Sequence, residues 1–421
     1  MRRSVYNTPA SACLETIALV LAGGAGTRLK SLTQKHAKPA VNFAGKYRTI
    51  DFSLTNCVHS SIRRISILTQ YKSHSLNTHI QHGWNFLRHE LNEYVELLPA
   101  QQRVKSEWYA GTADAVFQNI DIIAEQEPRY VLILAGDHVY KMDYRDMLQD
   151  HIRTKASLTI GCVEVPLHKA REFGVMEIDT QNRIIGFEEK PARPKPMRGS
   201  SDQALASMGI YVFSWPFLRE VLQRDAEDST SSHDFGKNII PSLIATAAVF
   251  AHSFRDKLTG RAGYWRDVGT IDGYFDAHME LLETRSSLEL FDGHWPVLTY
   301  QPQLPPTQFT HDDDGKHGVV YDSIVCDGCL VAGAQVKHSI ISSNVMIGGD
   351  TQIENAILLP DVEIGRHCRL RNVIVDRGCR LPERTVIGQD HAHDRRIYHV
   401  SPAGVTVVSA ELLEIEIGEV A

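Results

Sequence analysis

The chain has 421 residues, 43% hydrophobic and 23% charged, a length for about two or three domains and a composition that supports a large buried core. Its formal net charge of -7 excludes a global basic field for nucleic acid or a membrane surface, so any phosphate site must be locally basic. No stretch reaches about 18 apolar residues, which excludes a transmembrane helix and leaves a cytoplasmic reading.

The N-terminus, "MRRSVYNTPASACLETIALVLAGG", sets basic residues before a short apolar run, Ile17 to Ala22. That run is shorter than a secretory core and ends in a glycine loop, so it is not a signal peptide. Gly24-Ala25-Gly26-Thr27-Arg28-Leu29 begins like a dinucleotide fingerprint but lacks its last glycine, and it lacks the G-K-[ST] ending of a P-loop. What remains is a strand and a turn whose backbone amides can approach an anion, with Arg28 at its edge. Taken alone, this motif favours a tight turn with a surface arginine. Lys35 and Lys38 follow, and Pro39 restricts the backbone of Lys38.

From about residue 15 to 285, short β-branched runs ("TIALVLAGG", "ISILTQY", "YVLILAGDHVY", "SLTIGCVEV", "ASMGIYVFS") alternate with helical patterns such as "ADAVFQNIDIIAEQ" and "FDAHMELLETR". This rhythm predicts an α/β fold with a mostly parallel, Rossmann-like sheet, and such sheets bind ligands beyond the carboxyl ends of their strands. "LAGG" and "LAGD" stand there. Asp137 suits a magnesium ligand or a helix N-cap. Asp267, in "YWRDVGT", is a second carboxylate or a partner of Arg266. The functional reading requires these carboxylates and cations to converge.

Residues 291–316, rich in proline and acidic side chains, read as a linker between a domain at 1–290 and another at 317–421. In the latter, Val319, Val336, Ile353, Leu370 and Ile387 recur every 17 residues, as do Ile324, Ile341, Leu358 and Val375, and Leu330, Ile347 and Ile364. Three apolar series with one period predict a coil of three short strands, and the "IG" pairs resemble hexapeptide-repeat left-handed parallel β-helices. The seven cysteines are irregularly spaced, and Cys326-Asp327-Gly328-Cys329 lacks a second pair, so neither a disulfide framework nor a zinc site is expected.

"LAGGAGTRL", "KPAV", "YRTIDF", "LLPAQQR", "GTADAV", "LAGDHVY", "FGVM", "FEEKP", "SMGIYVF", "SSHDFGKNIIP" and "YWRDVGT" resemble, in order, the motifs of bacterial ADP-glucose pyrophosphorylases. The resemblance implies a nucleotidyltransferase domain followed by a left-handed β-helix. It implies the conversion of ATP and glucose 1-phosphate to ADP-glucose and pyrophosphate with Mg2+. It assigns Arg28, Lys38, Asp137 and Asp267 to catalysis, with the two aspartates as metal ligands. Leu21, Ala22, Gly23, Gly24, Gln102 and Gly111 would bind ATP. Tyr109, Gly174, Glu189, Lys190 and Ser207 would surround the sugar phosphate.

The resemblance further implies a homotetramer regulated by anionic metabolites and AMP, with no nucleic-acid or membrane partner. Lys35, Arg48 and Arg377 match the family's effector cations. Ala25, His36, Asn42, Ala124, Glu125, Ala410 and Glu414 depart from its basic positions. An acidic tail repels a bisphosphate, so weakened activation by fructose 1,6-bisphosphate is expected. Rival readings are a UTP- or dTTP-using pyrophosphorylase, a bifunctional enzyme with an acyltransferase β-helix, and a non-catalytic regulatory subunit.

Overall fold

Strand Thr16–Ala22 lies at the centre of a nine-stranded sheet and is buried on both faces, which explains an apolar run without polar alternation. Ala18 and Val20 enter one core layer, Ile17 and Leu19 the other. Parallel neighbours Arg64–Thr69 and Tyr130–Ala135 flank it, and Tyr94–Pro99 extends the parallel half. The register pairs Ala22 with Thr69 and Leu21 with Ala135, so these carboxyl ends share one edge. Gln203–Ser214 then joins antiparallel to Tyr130–Ala135 and carries the remaining strands. The half that holds the glycine loop is wholly parallel, and Val249–Ser253 adds a parallel pair with Leu158–Pro166 beyond Gln203–Ser214. The computed structural model describes residues 9–410 except 25, 102–107, 258, 284, 285 and 287.

The pattern "ADAVFQNIDIIAEQ" forms two short helices, Thr112–Phe117 and Ile120–Glu125. Between them, Asn119 Nδ2 donates to the Ala115 carbonyl at 2.9 Å and to the Tyr109 hydroxyl at 3.0 Å. A separate two-stranded antiparallel sheet pairs His138–Tyr140 with Trp265–Asp267, setting His138 opposite Asp267.

The second part is a stack of short parallel strands, but its register corrects the expected repeat at the first step. Val320, not Val319, pairs with Val336; Val325, not Ile324, with Ile341; and Val331, not Leu330, with Ile347. Later steps keep the 17-residue offset, as in Val336 to Ile353 to Leu370 to Ile387. The cause is the turn after Leu330–Ala332, which spends one residue fewer than the turn after Met346–Ile347 before the next strand. A one-residue slip reverses a strand's faces, and Val319 is accordingly 50% exposed while Val331 is fully buried. The corners need left-handed backbone, supplied by Asn344, Asp361 and Gly378 along one edge and by His338, Asn355 and Asn372 along another. Gln308–Thr310, inside the segment expected to be linker, instead pairs in parallel with Leu330–Ala332.

The two parts share a core. Phe43, Val268 and Tyr274 pack in one cluster with Ile340, Ile357, Ile374 and Val407. Within it His278 is fully buried. Its Nε2 accepts from the Ala44 N–H at 3.1 Å, and its Nδ1 donates to the Tyr274 carbonyl at 2.8 Å, a pattern that only the neutral ring satisfies. His151 is likewise buried between Thr159 and Ser214. Burial pushes both imidazoles down to about 4.

Both histidines bind protons less readily folded than unfolded. Their contribution is therefore present above about pH 6.5 and is lost as pH falls toward 4. Urea unfolding between pH 8 and 4.5 should show stability declining below pH 6.5, by up to about 3 kcal/mol per histidine. A flat profile down to pH 5 would contradict the neutral, buried assignment.

Candidate active site

Gly26 has φ +65, and a Cβ there would lie 2.9 Å from Thr33 Cγ2 and 3.1 Å from Lys38 Cβ. Glycine is what this left-handed turn and close approach require. The turn leads into a 3-10 helix, Thr27–Thr33, that carries Arg28, and Thr33 Oγ1 donates to the Gly26 carbonyl at 2.7 Å. Leu21 and Ala22 end the central strand and deliver Gly23 and Gly24 to the same edge. The Gly136 N–H donates to the Leu21 carbonyl at 3.1 Å, tying the "LAGD" end to the "LAGG" end.

Lys38, only 8% exposed, is aimed at two carboxylates from distant segments. Its Nζ donates to Asp137 Oδ2 at 2.6 Å and to Asp267 Oδ1 at 2.9 Å. Burial opposes the Lys38 charge, but the two aspartates outweigh it and raise its pKa above the ordinary lysine value. Burial likewise opposes ionisation of Asp137, yet Lys38 and then His138 hold it well below the usual carboxylate range. Arg28 Nη2 completes the group, 3.8 Å from Asp267 Oδ2. The four residues expected to be catalytic are therefore together.

The alternative roles go to other residues. Asp143, not Asp137, caps helix Tyr144–Arg153. Arg266 pairs with Glu280 at 2.9 Å, leaving Asp267 to Lys38 and Arg28. Donor atoms of Asp137, His138 and Asp267 lie within 4.8 Å of one another. Two carboxylates from separate segments are hard oxygen donors that fit a divalent cation such as magnesium. His138 is oriented by its other nitrogen: Nδ1 donates to the Met208 carbonyl at 3.1 Å, the ring meets Trp265 edge-on at 5.0 Å, and Nε2 faces Asp137 Oδ1 at 3.6 Å.

On the sugar side, a Cβ at Gly174 would lie 2.4 Å from the Phe187 ring and 2.9 Å from Glu189 Oε2. Burial raises the Glu189 carboxyl, opposed by Lys190. Lys190 is exposed and lies 3.9 Å from Glu189. Ser207 is buried in the neighbouring strand. Gly111 is explained by packing, since a Cβ there would meet the His233 carbonyl at 2.3 Å. Through that approach "GTAD" docks onto "SSHDFGK", with Thr112 Oγ1 3.1 Å from Asp234 Oδ2.

The three cations expected at an effector site, Lys35, Arg48 and Arg377, line one cleft between the two parts. Lys35, His36, Arg377 and Ala410 line a cavity of about 220 Å³. Asn42, Lys46, Arg48, His82 and again Arg377 line a neighbouring one of about 300 Å³. Burial, then the charge of Arg377, pushes Arg48 down to about 10. Burial followed by Arg48, Arg377, Lys35 and Lys72 lowers the pKa of His36. Gln102, Ala25 and Glu414 lie outside the described residues.

Sequence reasoning missed Gly269. A Cβ there would lie 2.8 Å from Asp267 Oδ1, 2.9 Å from Arg28 Nη2 and 3.0 Å from Lys38 Nζ. The signal available was its place two residues after Asp267 in "RDVGT". It also missed Glu172, 3.4 Å from Arg28 Nη1.

A methyl group at Gly269 meets side-chain charges while the backbone conformation remains open to any residue. Gly269→Ala should lower kcat/KM by about 100-fold or more through misplacement of these groups, with a melting temperature within a few degrees of the parent. Steady-state kinetics beside thermal unfolding checks this; undiminished activity would contradict it.

Comparison with known proteins agrees with this architecture. Residues 17–284 match the nucleotidyl transferase family, and residues 305–408 match the GlmU-like C-terminal hexapeptide family. Glucose-1-phosphate adenylyltransferases from Methylococcus capsulatus and Nitrosococcus oceani are each 52% identical, over 95% of this chain and 94% and 95% of theirs. That from Methylobacillus flagellatus is 53% identical over 94% of both chains. With identity of this order running through both parts, the chain belongs to the glucose-1-phosphate adenylyltransferase family.

Proposed function

We propose that the chain joins ATP and glucose 1-phosphate to give ADP-glucose and pyrophosphate, supplying ADP-glucose for α-glucan synthesis. The observation that carries this reading is the convergence of Arg28, Lys38, Asp137 and Asp267 at the carboxyl edge of the parallel strands. A phosphate oxygen of the sugar attacks the α-phosphorus of ATP. The new P–O bond forms as the bond to the β-phosphate oxygen breaks, and the electron pair departs on pyrophosphate. The attacking oxygen is already anionic, so no general base is needed. Bringing two polyanions together in line is the main barrier, and catalysis is positioning with charge neutralisation.

Residue roles follow from that problem. Gly23 and Gly24 leave room for phosphates beside backbone amides, and Arg28 neutralises the departing pyrophosphate. Lys38 assists there, bridges the two aspartates and favours the charged form of Asp137. Asp137 and Asp267 would hold Mg2+, which when bound supplies positive charge to the phosphate oxygens. Lys190 binds the sugar phosphate, and Glu189, Gly174, Ser207 and Tyr109 surround the glucose. Gln102 and Gly111 contact the adenine. Domains at 1–290 and 317–421 divide catalysis from the β-helix, with the enzyme a cytoplasmic homotetramer.

Lys35, Arg48 and Arg377, converging with His36 in the cleft, support an anionic effector site. Ala410 in that cleft wall supports weakened activation by fructose 1,6-bisphosphate.

Purified chain with Mg2+, glucose 1-phosphate and ATP should release pyrophosphate, with kcat/KM at least about tenfold above that with UTP or dTTP, as base-reading contacts allow. In the same assay, micromolar fructose 1,6-bisphosphate should activate by less than about fivefold, at the low end of typical coupling. No turnover would favour a regulatory subunit, and a preference for UTP or dTTP would overturn the adenylyl assignment.

A further inference from the structure

Arg28 is held from two sides. Asp267, one of its partners, also serves Lys38. The other, Glu172, reaches Nη1 at 3.4 Å from across the cleft. It stands on the 3-10 turn Ala170–Glu172, immediately before the sugar-side strand Gly174–Ile178. That turn is anchored: Phe173 meets Trp265 edge-on at 5.0 Å, and the Phe173 carbonyl accepts from the Lys190 N–H at 3.1 Å. The Glu172 carboxylate is thus presented by a fixed turn to the one cation that leads the glycine loop. A carboxylate here gives a polyphosphate nothing to bind. It repels each phosphate and competes for the same guanidinium.

Resting on the nucleotidyl-transfer reading, we infer that Glu172 is an electrostatic latch on Arg28. It holds the guanidinium in the nucleotide-free enzyme, gives it up to the phosphates of ATP, and takes it back as pyrophosphate leaves. Glu172 is a positioning residue that sets polyphosphate affinity and product release. The Arg28 and Glu172 side chains are 54% and 55% exposed, so the pair by itself shifts affinity by only about two- to fivefold. Removing the repulsion between Glu172 and the bound phosphates adds to this, for about three- to tenfold in all.

The test is calorimetric titration of the full chain and of Glu172→Gln with ATP and, separately, with inorganic pyrophosphate. Glu172→Gln should bind both about three- to tenfold more tightly at low salt, and the gain should shrink as salt screens the exposed pair. Glu172→Asp, which keeps the charge, should stay closer to the parent. The melting temperature of Glu172→Gln should be nearly unchanged, so altered folding would not explain the gain. Affinity within twofold of the parent, or weaker, would overturn the latch. Because binding is read directly, that outcome is separate from failure of the parent chain to make ADP-glucose, which would overturn the proposed function instead.

Discussion

One buried ammonium orders the candidate site. Lys38 Nζ donates to Asp137 and Asp267 together, and these carboxylates come from two strand ends far apart in sequence. Without the ammonium, two partly desolvated negative charges would face each other. With it, the two carboxylates share one bridging cation, and Asp137 is held in its charged form. The surrounding design serves this contact: Gly26 lets the loop close against the Lys38 stem, Gly136 ties two strand ends, and Gly269 leaves space for the charges. The same carboxylates that hold Lys38 are the ones available to a divalent cation, so ammonium and metal draw on one set of oxygens.

The basic cleft depends on the shared core between the two parts. Arg377 comes from the β-helix and Arg48 from the first part, and both line the same cavity. The intervening turn at Ala44 and Gly45 is pinned on one side by His278 and on the other by the β-helix, where a Cβ at Gly45 would meet Cys326 Sγ. Arg48 in turn caps helix Thr49–His59, whose buried Asp51 accepts from His79, Trp84 and Thr299. A charge arriving in the cleft would therefore act on a segment, 38–51, that also carries Lys38. This contiguity would give an anion bound in the cleft a physical route toward Lys38.

Much of this was legible in the sequence because periodicity and strand-end motifs are local signals. The glycine loop, the "LAGD" end and the 17-residue repeat could be read from short windows, and the site residues came from collinear motifs. What failed was what depends on three-dimensional register. A turn shorter by one residue put Val320, Val325 and Val331 in register with the interior series in place of Val319, Ile324 and Leu330. The antiparallel return of Gln203–Ser214 carries no periodic mark that separates it from a parallel strand. Gln308–Thr310 looked like linker because a single edge strand of three residues has no repeat of its own. Glu172 was invisible because its importance lies wholly in a contact made 144 residues away.

The claim that Lys38 is the counter-charge of both aspartates is tested most directly by a double-mutant cycle in thermal stability, measured without divalent cations. Lys38→Met alone leaves two facing carboxylates without their shared ammonium, with Arg28 still 3.8 Å from Asp267, and should be strongly destabilising, by about 3 kcal/mol, the low end of the range for broken buried pairs. Adding Asp137→Asn to Lys38→Met should recover part of that loss, because one of the repelling charges is gone. Simple additivity, with the double variant losing the sum of the two single losses, would contradict the account.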